Sequence, residues 1–412
     1  MYEVRDGDTF EIISRRSYGV GDYASLIQRA NPGAQEPLTP GTTLAIPKVP
    51  GAPKNRLSKS VSQRENEASL LIDGERFRFW SDVTITRSID QMDTLEFSCP
   101  FDSTAPGFRE TFKPFSYKPL QLNIGGVPIF TGTMMVPKPV LEKDGKTLQV
   151  SAYSTPGVLN DCTAPASMFS GGENGLEFNN QNLRDIAIAL ASPFGISTAF
   201  LDDPGAAFER VSIKPQTKIL GFLATLAKQR NMVISSTETG DLLFQRSVDS
   251  DIPVAQLSQG NSPVQSVEPF FSPQEYYSHI TGIQPVSIGT NGSQHTVRNP
   301  HLPGVIRPFT FETPDVTEGD TPTATNSKAG RMYGNACSYA VGLSTWRDDY
   351  GDLWTPNTIV SLVAPDAMIY ANYNFLIRSV AFKRDRNNES SVLNLTLPGA
   401  FNGKTPESLP WD

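Results

Sequence analysis

Between Ala68 and Tyr153 the apolar residues fall at alternate positions in short runs, and the runs are punctuated by turn signals. Leu70-Leu71-Ile72 and the run 76–80 flank Asp73-Gly74, and the runs 120–124 and 127–132 flank Gly125-Gly126. Asp-Gly and Gly-Gly tolerate the positive φ angles that a two-residue hairpin turn demands, so both stretches read as hairpins. Runs 83–86, 94–100 and 147–153 add further strands. A period of two places one face of each strand in a core, and strands at this spacing build a small barrel or sandwich. The chain holds 32 Gly and 33 Pro, dispersed without a repeat, which fits turns between many short strands rather than a fibrous or linker sequence.

The period changes further on. Residues 182–191 read as a helix with Leu183, Ile186, Ala187 and Leu190 on one face. A stronger helix is expected over 217–230, with Thr217 as its cap and Ile219, Leu220, Leu223, Leu226 and Ala227 as its stripe. Runs 232–235 and 242–246 then form a hairpin, giving a small α/β insert. Strands resume near Val264, the best being 276–286, 309–311, 359–363, 374–384 and 391–397. Residues 324–339 read as one helix interrupted by Gly330 and Gly334.

Charge and reactive residues narrow the function. A net charge of −8 argues against a sequence-reading nucleic-acid protein, which needs cations to neutralise phosphates. Cys99, Cys162 and Cys337 are odd in number and far apart, so they form no disulfide framework or CxxC metal site, and a reducing cytoplasm fits. The start lacks the basic and apolar regions of a signal peptide, and no apolar run approaches the ~20 residues of a membrane span. Cys162 or Cys337 could serve as a nucleophile with His279, His295 or His301, but no Gly-x-Ser-x-Gly precedes a helix and no His-Glu-x-x-His occurs. Asp348, Asp349 and Asp352 lack the later Glu and the spacing of a calcium loop and read as a solvated turn. Gly171-Gly172-Glu173-Asn174-Gly175 lacks the Lys-Ser/Thr of a phosphate cradle. The expectation is therefore no catalytic residue, no metal, no cofactor and no enzyme activity.

The first fifty residues carry a denser pattern. Tyr2-Glu3-Val4-Arg5 alternates as a strand, Asp8 or Thr9 can cap a helix that ends near Tyr18-Gly19, and a second helix runs over 23–30 to Asn31-Pro32. Leu38-Thr39-Pro40-Gly41 is a turn before the closing strand Thr43-Leu44-Ala45-Ile46-Pro47. This βααβ order closely resembles a LysM module. The resemblance implies a groove at Gly7, Asp8, Thr9, Phe10, Asn31 and Pro32 that binds N-acetylglucosamine polymers, or a protein where the fold is reused for docking. Phe10-Glu11-Ile12 adds bulk and charge beside that groove. The polar stretch 52–67, with Lys54, Arg56, Lys59 and Arg64, reads as a tether.

Three stretches of the body, 69–101, 218–246 and 346–401, resemble in order the baseplate hub proteins of contractile phage tails, the Mu-type hub family. The fold class expected is mainly β with an α/β insert: a LysM-like module, two similar β-barrel domains and a small helix–hairpin region. The boundaries are a LysM-like module 1–49, a linker 50–67, a first β-barrel 68–165, an α/β domain 166–252, a second β-barrel 253–403 and a C-terminal tail 404–412. The family implies a homotrimer whose ring adapts the sixfold tail tube to the threefold central spike and lets DNA pass. Implied partners are the spike, the tail tube and the baseplate wedge proteins; contacts with a tape-measure protein and with peptidoglycan are left open. Sequence-specific nucleic acid and a membrane anchor are not expected, and the place of action is the virion tail baseplate after assembly in the host cytoplasm. The alternative is a LysM-targeted tail protein that binds or degrades peptidoglycan.

Overall fold

In the computed structural model the described residues are 2–4, 9–10, 13–14, 17, 23–47, 66–143, 145–169, 176–250, 252–284, 292–313, 320–348, 351–385 and 388–412. Near the N-terminus β1 (Tyr2–Glu3), α1 (Ala24–Ala30) and β2 (Thr43–Leu44) surround a small core of Val4, Phe10, Ile13, Ile27, Leu38 and Leu44. β1 and β2 pair antiparallel. Asn31, just past α1, staples the helix to the strand end: its amide donates to Ile27 O and Ala45 O and accepts from Ala45 N, each at 2.8 Å. Most of the expected tether 52–67, residues 52–65, lies outside the described residues, as do Gly171 to Gly175. Asn66 and Glu67, its last two residues, belong to the body: Asn66 binds Glu389 and Arg347, and Glu67 O accepts from Gly125 N.

The first β region follows the alternating pattern closely. β3 (Ala68–Ile72) and β4 (Glu75–Phe77) turn at Asp73-Gly74, whose φ angles of 55° and 80° are those a two-residue hairpin needs. β5 (Asp82–Ser88), β6 (Thr94–Pro100), the short helix α2 (Pro106–Thr111), β7 (Pro119–Ile124), β8 (Val127–Glu142) and β9 (Gly145–Ser154) follow. Strand order is β5-β6-β9-β8-β7-β3-β4.

α3 (Val158–Asp161), β10 (Leu176–Gln181), α4 (Leu183–Ala191), β11 (Thr198–Phe200), β12 (Phe208–Ile213), α5 (Ile219–Gln229), β13 (Val233–Ser236) and β14 (Leu242–Gln245) form the α/β unit. Its core joins Leu183, Ile186 and Leu190 of α4 to Leu223 and Leu226 of α5, and it also takes in Leu159 and Ala164, ahead of the expected boundary at 166. Asn182 caps α4 by accepting from Asp185 N at 3.0 Å. Thr217 does not cap α5. Its own N–H bonds Lys214 O in a turn where Gln216 has φ 74°, and the helix starts after Lys218 without a side-chain cap.

The second β region contains β15 (Gln256–Ser258), β16 (Val264–Phe271), β17 (His279–Ile283), β18 (Gln294–Arg298) and β19 (Pro308–Glu312). The long helix α6 (Thr321–Ala336), β20 (Cys337–Leu343), β21 (Ile359–Ala364), β22 (Ile369–Arg384) and β23 (Glu389–Thr396) complete it. The helix expected over 324–339 ends at Ala336, because Cys337, Tyr339, Val341 and Leu343 alternate inward and continue as β20 between β16 and β23. Gly330 and Gly334 do not interrupt α6; they let it approach the chain near Ala400. A Cβ on Gly334 would stand 2.5 Å from Ala400 Cβ and 2.8 Å from Thr396 Oγ1.

The two β regions, expected as separate barrels, are joined in one 13-stranded sheet. β22 makes the join. Its first half pairs with β21, a register shift follows between Ile377 and Ser379, and residues from Ser379 to Arg384 pair with β5 of the first region. A bulge bends and twists its strand, which is how one strand leaves one set of neighbours for another. A single core cluster accordingly runs from Ala68 to Leu409.

Candidate assembly interface

Buried polar contacts clamp the α/β unit and the two β regions together. Arg87 of β5 reaches Asp93 at 3.3 Å and Glu238, in the turn between β13 and β14, at 2.8 Å. Ser88 N donates to Asp93 at 3.1 Å. One cation thus serves two carboxylates, one buried and one partly exposed. Burial pushes the Asp93 carboxyl up to about 6, against the attraction of Arg87, while the Arg87 guanidinium is raised by its two anionic neighbours despite its burial. Asn357 Nδ2 donates to Gln245 Oε1 and Arg246 O, and Asn231 Nδ2 to Asn402 O, tying the α/β unit to the second region. These contacts join residues from across the chain.

Several large apolar side chains remain on the outside of that body. Phe115 is 81% exposed and Tyr117 56%, and both hold left-handed φ angles, 61° and 48°, that bulky residues seldom adopt. Phe79, past β4, is exposed at the edge of the aromatic group formed by Phe77, Phe97 and Phe112. From Met135 to Glu142 no residue of β8 is buried, although Leu148 and Val150 of the facing β9 belong to the core. β4 and β16 end the sheet path. No residue of β16 is fully buried, and Phe270 is 61% exposed. Glu268 and Pro269 guard that edge, since a charge and a missing N–H both discourage indiscriminate strand pairing. Phe271 packs on Trp411 with ring centroids 5.5 Å apart, so the tail 404–412 is docked here rather than free. Nothing in the alternating pattern singled these residues out; the run Lys113-Pro114-Phe115-Ser116-Tyr117-Lys118, aromatic yet rich in turn formers, was the available signal.

The residues considered for chemistry are dispersed. His279 Nδ1 meets Ser278 Oγ at 2.9 Å, His301 Nε2 meets Pro406 O at 2.8 Å, and the three cysteines are unpaired. Burial pushes the Cys99 and Cys337 thiols up to about 12, far from a reactive thiolate. Asp348 and Asp352 close a turn on each other, with Asp352 N donating to Asp348 Oδ1 at 3.0 Å; Asp349 lies outside the described residues. Among the described residues no three His, Cys, Asp or Glu side chains gather as a metal site, and no helix is long and apolar enough to cross a membrane.

Of the groove residues, Gly7 and Asp8 lie outside the described residues. Phe10 is buried in the small N-terminal core, and its N–H donates to Glu36 Oε1 at 2.6 Å. The Asn31 amide is committed to the staple between α1 and β2. Thr9 is partly exposed and Pro32 exposed.

The model of the family described as baseplate hub protein gp44-like, second domain, matches residues 156–246, the span of the α/β unit. The baseplate hub protein gp44 of Escherichia phage Mu is 24% identical over 332 residues, covering 74% of this chain and 80% of that relative. The chain is related to the Mu-type baseplate hubs. Solved tail proteins share this fold. The 43 kDa tail protein of prophage MuSo2 from Shewanella oneidensis aligns at TM-score 0.68 and 23% identity, over 81% of this chain and 99% of the other. The tail protein from Neisseria meningitidis MC58 aligns at TM-score 0.68 and 18% identity, over 82% and 99%.

Proposed function

We propose that this chain is a non-enzymatic baseplate hub of a contractile tail, acting in the virion as a trimeric ring between the sixfold tail tube and the threefold central spike. The observation that carries this reading is the hub-type α/β unit clamped onto one continuous sheet that draws strands from both halves of the body. Two strand sets side by side in each chain would present six such sets in a trimer, matching a sixfold partner on one side and a threefold partner on the other. The two ends of the sheet path expose different edges, β4 and β16, and a contact between unlike surfaces closes into a ring when the rotation permits. The excess of negative charge suits a lumen that does not hold DNA in transit. Light scattering coupled to size exclusion tests the oligomer: a mass three times 45.0 kDa supports the ring, and a monomer at every concentration, alone and with the spike, overturns it.

The N-terminal strands and staple favour a LysM-like docking module as a second element of the reading. Its groove would comprise Gly7, Asp8, Thr9, Phe10, Asn31 and Pro32, with Thr9 and Pro32 offering the accessible surface and Phe10 and Asn31 shaping it from behind. Co-sedimentation with purified peptidoglycan separates a glycan ligand from a protein one. Sustained clearing of a peptidoglycan suspension by the purified chain would instead support the degrading alternative.

A further inference from the structure

A small cleft of about 140 Å³ opens between α5 and α6, and cations outnumber anions in its lining. Lys228, in the last turn of α5, faces Lys328 and Arg331 of α6, while Phe311, Ala324 and Thr313 supply the apolar and hydroxyl lining. Arg331 is anchored: Nη2 donates to Met232 O at 3.0 Å and the guanidinium lies 5.1 Å over the Phe401 ring. Its Nε is buried without a hydrogen-bond partner, as is Thr313 Oγ1. Lys328 stands 5.7 Å from the centroid of Phe309. Among the described residues neither lysine has an ion-pair partner.

The carboxylates nearby do not discharge the cluster. Asp90 faces it from behind but is already held by Arg378. Glu312 is the one carboxylate of the lining and is exposed, so solvent screens its charge. Burial and the neighbouring Arg331 and Lys328 hold the Lys228 ammonium below the ordinary lysine range, and burial pushes Arg331 down to about 10. Three cations therefore repel one another in one cleft on a chain whose overall charge is −8.

We propose that this cleft is a carboxylate-binding site that takes an acidic side chain presented by another protein chain. One carboxylate pairs with the exposed Lys228 and Lys328 ammoniums and relieves the mutual repulsion of the cations, and charge-assisted hydrogen bonds are the strong ones. The small volume and apolar lining suit the methylene stem of a single acidic side chain. A nucleic-acid backbone fits poorly, because a polyanion is repelled by a chain whose net charge is −8. The site stands independently of the hub reading, since it follows from the local geometry alone.

The test uses the full chain, labelled at the lysine Cε positions and titrated by NMR with tri-glutamate, with tri-glutamine, and with inorganic phosphate. Lys228→Gln and Lys328→Gln assign the two signals, and both side chains are exposed enough for the substitutions to leave the fold intact. Saturable shifts of both signals by tri-glutamate alone, with the Lys228 pKa rising on binding, are expected. In the Lys228→Gln/Lys328→Gln variant the affinity, read from the amide signals of α6, falls about tenfold. Equal shifts with tri-glutamine, an unchanged affinity in the double variant, or tighter binding of phosphate than of tri-glutamate would each overturn the assignment. A monomeric hub that still binds tri-glutamate would leave this site standing while removing the ring.

Discussion

Arg378 grips Asp90 with two hydrogen bonds, Nε to Oδ1 at 3.2 Å and Nη2 to Oδ2 at 2.8 Å, at the point where β22 changes partners. The Arg378 carbonyl accepts from Ile89 N at 3.0 Å in the same place, so backbone and side chain fasten the two β regions together. Asp90→Ala leaves a partly buried guanidinium without its anion, and a loss of about 1–3 kcal/mol is expected in chemical denaturation. A double-mutant cycle with Arg378→Ala should return a coupling of about 0.5 kcal/mol or more. Additive losses would mean that the pair does not hold the seam.

Asp93 makes stability depend on pH. Its carboxyl is raised to about 6 in the folded chain, above its unfolded value, so the folded state binds the proton more tightly. The stabilisation from this group is fully present below the unfolded pKa and is lost as pH rises through about 6. Between pH 4 and pH 7 the parent should lose on the order of 1–3 kcal/mol relative to Asp93→Asn, which carries no titrating carboxyl. Parallel stability curves for the two proteins would refute this.

Glycine-to-alanine changes in two helices should have opposite signs. Gly221 of α5 is exposed with open space around it, so Gly221→Ala should stabilise by about 0.5–1 kcal/mol through helix propensity. Gly334 of α6 meets Ala400 and Thr396, and Gly334→Ala should destabilise by about 1–3 kcal/mol as the helix is pushed off. Melting temperatures of the two variants decide it; a rise in both would mean that α6 has room to spare.

Leu223 and Leu226 are buried at the centre of the α/β core. Truncating either to Ala should cost about 2–5 kcal/mol. Leu223→Asp should abolish cooperative unfolding of that unit, followed by hydrogen exchange over α4 and α5. Native-like protection in Leu223→Asp would show that the stripe is not the core.

Local chemistry made much of this architecture readable. Asp73-Gly74 and Gly125-Gly126 set their hairpins because only such residues take the required φ angles cheaply, and the stripe of α5 follows from a 3.6-residue period that any folded context must bury. Thr94–Pro100 appears with the expected limits because alternation and flanking turns agree. Other features depended on residues far away in the chain. Whether residues 337–339 continued a helix or opened a strand was decided by their place between β16 and β23, and whether Gly334 broke α6 was decided by Ala400. The fusion of two β regions rests on β22 meeting β5, nearly three hundred residues earlier, and the cationic cleft gathers Lys228, Lys328 and Arg331 from two helices about a hundred residues apart. A side chain's period and turn preference are properties of its neighbours in sequence, whereas strand partners and clustered charges depend on how distant segments pack, and only the tertiary structure supplies that information.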